Sequence, residues 1–125
     1  MTRPRRIAAF VLAILTLCST ERAGAIDPVY QEDMRRLVEI MGSLYFLEPL
    51  CGEASADWRA EAAELIVLDA PDPDREQRLY GAFNTGYQAY ARNYRFCTLA
   101  AHEVMLRLFD EARQKSEGIR TRFAE

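Results

Sequence analysis

The chain predicts an all-α fold, a four-helix up-down-up-down bundle, and three observations carry that reading. Apolar residues return at three- and four-residue intervals along four separate segments. No stretch of useful length alternates apolar and polar residues, so no sheet is assigned. Two cysteines, Cys51 and Cys97, fall in the connections after the first and third segments, which a bundle with short loops brings to the same end.

The first helix is expected to open at Asp27-Pro28, where Asp caps free N–H groups and a proline at the first helical position needs no N–H partner. Tyr30, Met34, Leu37, Val38, Met41 and Leu44 then share one face, and Glu48-Pro49 is expected to stop the helix near Leu47. The second helix begins around Ser55 or Asp57, either of which can cap, and buries Trp58, Ala62, Leu65 and Ile66. Ala70-Pro71-Asp72-Pro73 breaks it, with Asp72-Pro73 repeating the capping chemistry of Asp27-Pro28.

The third helix is expected to reach about Arg95, with Leu79, Phe83, Tyr87, Tyr90 and Tyr94 as an aromatic stripe. Gly81 and Gly86 lie beside that stripe. An interior glycine costs about 1 kcal/mol relative to alanine, so a close helix contact is the expected reason for both. Thr98 caps the fourth helix, which carries Ala101, Met105, Leu108, Ala112 and Ile119 on one face. Val104, Leu106 and Phe109 widen that band beyond the needs of a simple bundle helix, and Gly118 is expected to end or bend it.

With 125 residues there is room for one domain, and a chain that is half hydrophobic and 28% charged has globular rather than disordered composition. Its N-terminus reads as a targeting segment. Arg3, Arg5 and Arg6 form a basic region, an apolar core runs from Ile7 to about Leu17, and Ala23-Gly24-Ala25 offers the small-x-small pattern of signal peptidase. That core is far shorter than the roughly 20 residues a membrane-spanning helix needs. The expected organisation is a cleaved Sec-type signal over 1–25 and a single helical domain over 26–125, in the periplasm. An uncleaved anchor is the alternative. Leu17 before Cys18 speaks against a lipoprotein signal, and Ile7-Ala8-Ala9 after the arginine pair against a twin-arginine one.

Cleavage would remove four arginines and one acid, leaving 12 bases against 18 acids and a net charge of −6. Interspersed charge of that sign opposes a general role in binding nucleic acid or anionic lipid, which need clustered Lys and Arg. In an oxidising compartment the remaining cysteines, Cys51 and Cys97, are expected to bridge, since their spacing is far too long for a CxxC motif. Two reactive thiols or a shared metal are the alternatives.

Two segments carry a family resemblance: Met41-Gly42-Ser43-Leu44-Tyr45-Phe46-Leu47-Glu48-Pro49-Leu50-Cys51-Gly52, and Ala82-Phe83-Asn84-Thr85-Gly86-Tyr87 leading through Tyr94-Arg95 to Cys97-Thr98. They resemble LxxLxPLCG-like and FNxGYxxxxxxYxxC-like segments of short, signal-bearing alphaproteobacterial proteins of unknown function. The resemblance spans about Tyr30 to Phe109. It implies an exported bacterial protein with the same cysteine pair, and it implies no activity.

Candidate sites are few. His102 is the sole histidine and lacks the partners of a haem or metal site, so a structural or surface role is expected and no cofactor is assigned. Asn84 and Thr85 lie between the glycines of the third helix, with no base to activate Thr85. Glu61, Glu64, Asp69, Asp72, Asp74 and Glu76 are expected to be solvated or capping residues rather than a hydrolytic pair.

A ligand or partner surface is sought among Tyr45, Phe46, Tyr87, Tyr90, Tyr94, Leu106 and Phe109. The preferred functional expectation is a non-enzymatic envelope accessory that works through protein contact, with a second copy of the chain as one candidate partner. The alternative is a small-ligand or glycan-binding module built on the third helix's tyrosines, whose faces suit pyranose rings.

Overall fold

The computed structural model describes residues 26–124. The targeting segment read over 1–25 lies outside them. The described residues form four helices and no strand: α1 (Gln31–Leu50), α2 (Trp58–Asp69), α3 (Pro73–Ala91) and α4 (Leu99–Phe123).

α1 is the axis of the domain. A helix apolar on one stripe sits at a surface, whereas one apolar on several faces is enclosed. α1 is of the second kind. Met34 and Val38 face a cluster completed by Ala62 and Ile66 of α2 and Leu79 and Phe83 of α3. Ile40, Leu44 and Leu47 turn to a second cluster with Ala101, Met105 and Leu108 of α4. Each fully buried Leu, Ile or Met contributes about 1.5–3 kcal/mol of transfer free energy, and most of those on α1 are enclosed. α2, α3 and α4 each pack on α1, while no Cα of α3 lies within 8 Å of one in α4. The side chains of Tyr90, on α3, and Tyr94, past its end, pack on the cluster shared by α1 and α4.

α1 and α3 approach each other backbone to backbone. Gly42 has its bare Cα against the Phe83 carbonyl, and Gly86 has its own against the Glu39 carbonyl. A methyl group at either position would overlap a backbone oxygen. Ser43 Oγ lies 3.1 Å from both the Glu39 and the Gly86 carbonyl oxygens, so its hydroxyl ties the two helices where they touch. Gly81, by contrast, is exposed and faces open space. The expected close contact is therefore made by Gly86 with Gly42, not by Gly81. Contacts advance together along α1 and α3, from Gln31 with Arg75, through Gly42 with Phe83, to Cys51 with Cys97. Along α1 and α4 they run in opposite senses, from Tyr30 with Phe123 to Arg36 with Glu111.

Helix ends differ from expectation in three places. α1 begins at Gln31, after Tyr30, rather than at Asp27-Pro28, because Arg78 of α3 takes the Asp27 carboxylate at 2.9 and 3.0 Å. It also runs through Pro49 to Leu50. A proline in the last turn forfeits one hydrogen bond, and the turn is held beyond it by Cys51 N–H donating to the Leu47 carbonyl at 3.0 Å. α3 stops at Ala91, short of Arg95, where the Asn93 side chain donates to the Ala89 carbonyl at 2.9 Å in competition with the helix. Three caps fall where the sequence puts them: Asp57 accepts from Ala60 N–H, Asp72 from Asp74 and Arg75 N–H, and Thr98 from Ala101 N–H. α4 passes through Gly118 without ending.

Candidate binding surfaces

Cys51, just past the end of α1, and Cys97, between α3 and α4, are paired at disulfide distance with Cα atoms 4.9 Å apart. The bond lies at the end of the domain where the α1–α2 and α3–α4 connections meet, and Cys97 is on the surface.

The third-helix tyrosines do not form one surface. Tyr87 turns toward α1, its ring 5.9 Å from Tyr45 and edge-on to Phe46 at 5.6 Å. Tyr90 and Tyr94 stack on each other at 6.3 Å and pack on the α4 cluster, where burial pushes the Tyr90 phenol pKa up. The apolar residues expected to make a partner patch are dispersed as well. Phe46 and Val104 are half-buried against the α4 cluster, and Phe109 lies against Trp58 at 6.0 Å. Leu106 is exposed without such a neighbour in the clusters.

Two grooves take their place. The first, about 490 Å³, opens between α2 and α3 over α1, a size within the range of small-molecule sites. Ala62 and Ala63 keep its α2 wall low, Tyr45, Tyr80, Phe83 and Tyr87 supply rings, and Arg59, Asn84 and Gln88 stand at its edge. Tyr45 and Tyr80 are 36% and 39% exposed, enough to present a ring face to a ligand. The second groove lies between α2 and α4 and is largely apolar. Leu37, Leu65, Ile119 and Phe123 line one part of it, and Met41 and Leu68 extend it toward Glu61 and Glu64. Leu68 and Phe123 are 75% and 68% exposed.

His102 and Thr85 each contact a group of the protein itself. His102 Nε2 lies 3.3 Å from Glu53 Oε1, joining α4 to the α1–α2 connection at the surface. Thr85 donates to the Gly81 carbonyl within its own helix. Among the described residues no group of three His, Cys, Asp or Glu could hold a metal ion.

Asp69 departs from the expected solvated acids. It is enclosed and ion-paired with Arg75, and it accepts from Tyr30 Oη at 2.8 Å. Arg75 also donates to Gln31 Oε1 and lies over the Tyr30 ring, 5.8 Å from its centroid. Burial, then the bond to Asp69, raises the Tyr30 pKa. Glu48 is buried too, accepting from Ser55 Oγ at 2.6 Å and Ser55 N–H at 3.1 Å. No spacing rule signals these pairs, because each joins residues from different elements or across a connection.

Residues 29–123 match the model of a family described as protein of unknown function, DUF2385. The chain belongs to the DUF2385 family. No curated protein and no solved structure matches it. The matched span contains the whole DUF2385 domain seen here, from the turn before α1 to the end of α4, with both cysteines and both grooves. Among the described residues, no helix of this DUF2385 domain is long and apolar enough to cross a membrane.

Proposed function

We propose that the protein is exported to the periplasm through a Sec-type signal over 1–25 and acts there as a non-enzymatic accessory of the cell envelope by binding another protein. The up-down-up-down connection of its helices belongs to the same reading and is supported by the order of contacts along α1. The observation that carries the function is the apolar groove between α2 and α4. Contiguous exposed apolar surface costs solubility unless a partner covers it. Here Leu68 and Phe123 flank a trough floored by Leu37 and Leu65, the form that receives the apolar face of an amphipathic helix. Acids on α2, Glu61 and Glu64, and Arg120 on α4 give the two rims opposite charge. That polarity would fix the direction of a helix carrying both signs.

Fractionation and N-terminal sequencing test the export. A mature chain beginning at Ile26 in the periplasm is expected; intact Met1 in the cytosol would refute it. Photocrosslinkers at positions 68 and 123 test the contact. Both are expected to capture one and the same protein, while one at exposed Gln77 does not, and Leu68→Glu or Phe123→Glu removes the product. Capture of different proteins at each position, or of the same set from position 77, would refute a specific interface. A crosslinked dimer of this chain would identify the partner as a second copy.

A further inference from the structure

We infer that the groove between α2 and α3 is a carbohydrate site, and that the saccharide it takes bears a carboxylate. This goes beyond the protein contact above and uses the other side of α2. The rings of Tyr45, Tyr80 and Tyr87 offer apolar faces with phenol oxygens at their margins. That is the combination a pyranose needs, since its C–H faces are apolar and its hydroxyls point outward around the ring. Tyr45 is braced in place by Phe83 and Tyr87, with ring centroids at 5.7 and 5.9 Å. Little side-chain entropy is then lost when a sugar stacks on it.

Polar groups complete the recognition. Asn84 and Gln88 stand one helical turn apart along α3, and each amide offers both donors and an acceptor, as neighbouring sugar hydroxyls require. Arg59 comes to the groove from α2, and its planar guanidinium matches a carboxylate with two parallel hydrogen bonds. Among the described residues none of these three side chains is engaged in a hydrogen bond or ion pair. Arg35, Arg36, Arg78 and Arg113 hold carboxylates, whereas Arg92, Arg95, Arg107 and Arg120 are as free as Arg59, but of all these arginines Arg59 alone lines this groove. An aromatic groove also suits a proline-rich peptide. Such a chain presents carbonyl acceptors without backbone donors, so it would leave the amide acceptors and the Arg59 charge unused.

The protein as purified from cells, labelled with ¹⁵N, is titrated with trigalacturonate, a hyaluronan tetrasaccharide and N-acetylmuramic acid. Cellotriose, chitotriose and decaproline are titrated in parallel. At least one acidic sugar is expected to shift amides around Arg59, Asn84, Tyr87 and Gln88, more strongly than the neutral sugars do. Arg59→Ala is expected to weaken the acidic sugar about tenfold and the neutral ones little, as loss of one charge-assisted contact predicts. Asn84→Ala and Gln88→Ala weaken both classes. All three side chains are exposed, so an unchanged thermal midpoint shows the fold intact. No acidic sugar binding at millimolar concentration, shifts outside the groove, binding of decaproline alone, or equal binding of acidic and neutral sugars insensitive to Arg59→Ala would each overturn the assignment.

Discussion

Gly86 packs its bare Cα against the backbone carbonyl of Glu39, and five residues earlier along α3, at Gly81, no such contact exists. Two glycines that look alike in sequence, Gly81 and Gly86, therefore do different things. Gly86→Ala forces a methyl group into backbone oxygen that cannot give way, as does Gly42→Ala at the Phe83 carbonyl. Each is expected to destabilise the domain by about 2–3 kcal/mol through separation of α1 and α3. Gly81→Ala meets open space in a helix interior and is expected to stabilise by up to about 1 kcal/mol. Urea unfolding of the three variants reads this out, and equal effects at positions 81 and 86 would contradict the close α1–α3 contact.

The Cys51–Cys97 pair closes the chain over a separation of 46 residues. In the chain-entropy description, a crosslink of that span stabilises by about 4 kcal/mol, a large part of what a domain of this size has. Thiol titration of the denatured mature protein is expected to find no free cysteine. Reduction, or Cys97→Ser with Cys51→Ser, is expected to lower the urea midpoint by that order. An unchanged midpoint would mean that α1 and α3 are held by packing alone.

What could be read in the sequence follows from the range of each signal. Helix caps are local, and Asp57, Asp72 and Thr98 were legible because each acts within three residues. Helix angle is local as well, so the inward stripe of Ala101, Met105 and Leu108 was legible. An angle does not reveal what stands opposite at each level. Tyr87 and Tyr90 lie about one turn apart on α3, yet one meets Tyr45 and Phe46 while the other meets the α4 cluster. The α2–α4 groove was illegible for a similar reason, since Leu68 lies off the stripe of α2 and Phe123 beyond the expected face of α4. Asp27 shows a long-range contact overriding a local one, its cap lost to Arg78 of α3.

Acid is expected to weaken the domain through carboxylates held by arginine. Hydrogen bonding to Arg36, both Nε to Oε1 at 2.7 Å and Nη2 to Oε2 at 2.8 Å, lowers the Glu111 pKa below its ordinary 4.5. Asp27, Glu32 and Asp110 are lowered likewise by bonds to Arg78, Arg35 and Arg113. A carboxylate with a depressed folded pKa contributes stability above its unfolded pKa, and that contribution is lost as pH falls through the folded value. The stability plateau should therefore end below about pH 4.5. Because the Glu111 side chain is 35% exposed, Glu111→Gln should cost no more than about 1 kcal/mol at pH 7 and reduce the slope below pH 4.5. Urea midpoints from pH 7 to pH 2.5 measure both, and an unaltered acid slope in the variant would remove Glu111 from the account.

The enclosed Asp69–Arg75 pair is expected to be the domain's most sensitive polar site. Both side chains are at most 6% exposed, and removing one charge leaves the other desolvated and unpaired. Arg75→Met alone should cost about 3–5 kcal/mol, whereas Asp69→Leu combined with Arg75→Met should recover most of that loss by removing both charges. Tyr30→Phe deletes a donor to a buried carboxylate and should cost about 1.5–3 kcal/mol. The tyrosine also leaves a signature in alkali. Burial and the Asp69 bond raise its folded pKa, so its contribution is complete below the unfolded value of 10.0 and lost as pH rises through the folded one. The wild type should lose stability above about pH 10, and Tyr30→Phe should lose less over the same interval. Guanidinium midpoints at pH 8, 10 and 11 distinguish the two chains. Parallel declines would show that the Tyr30 hydroxyl is not held by Asp69 in solution.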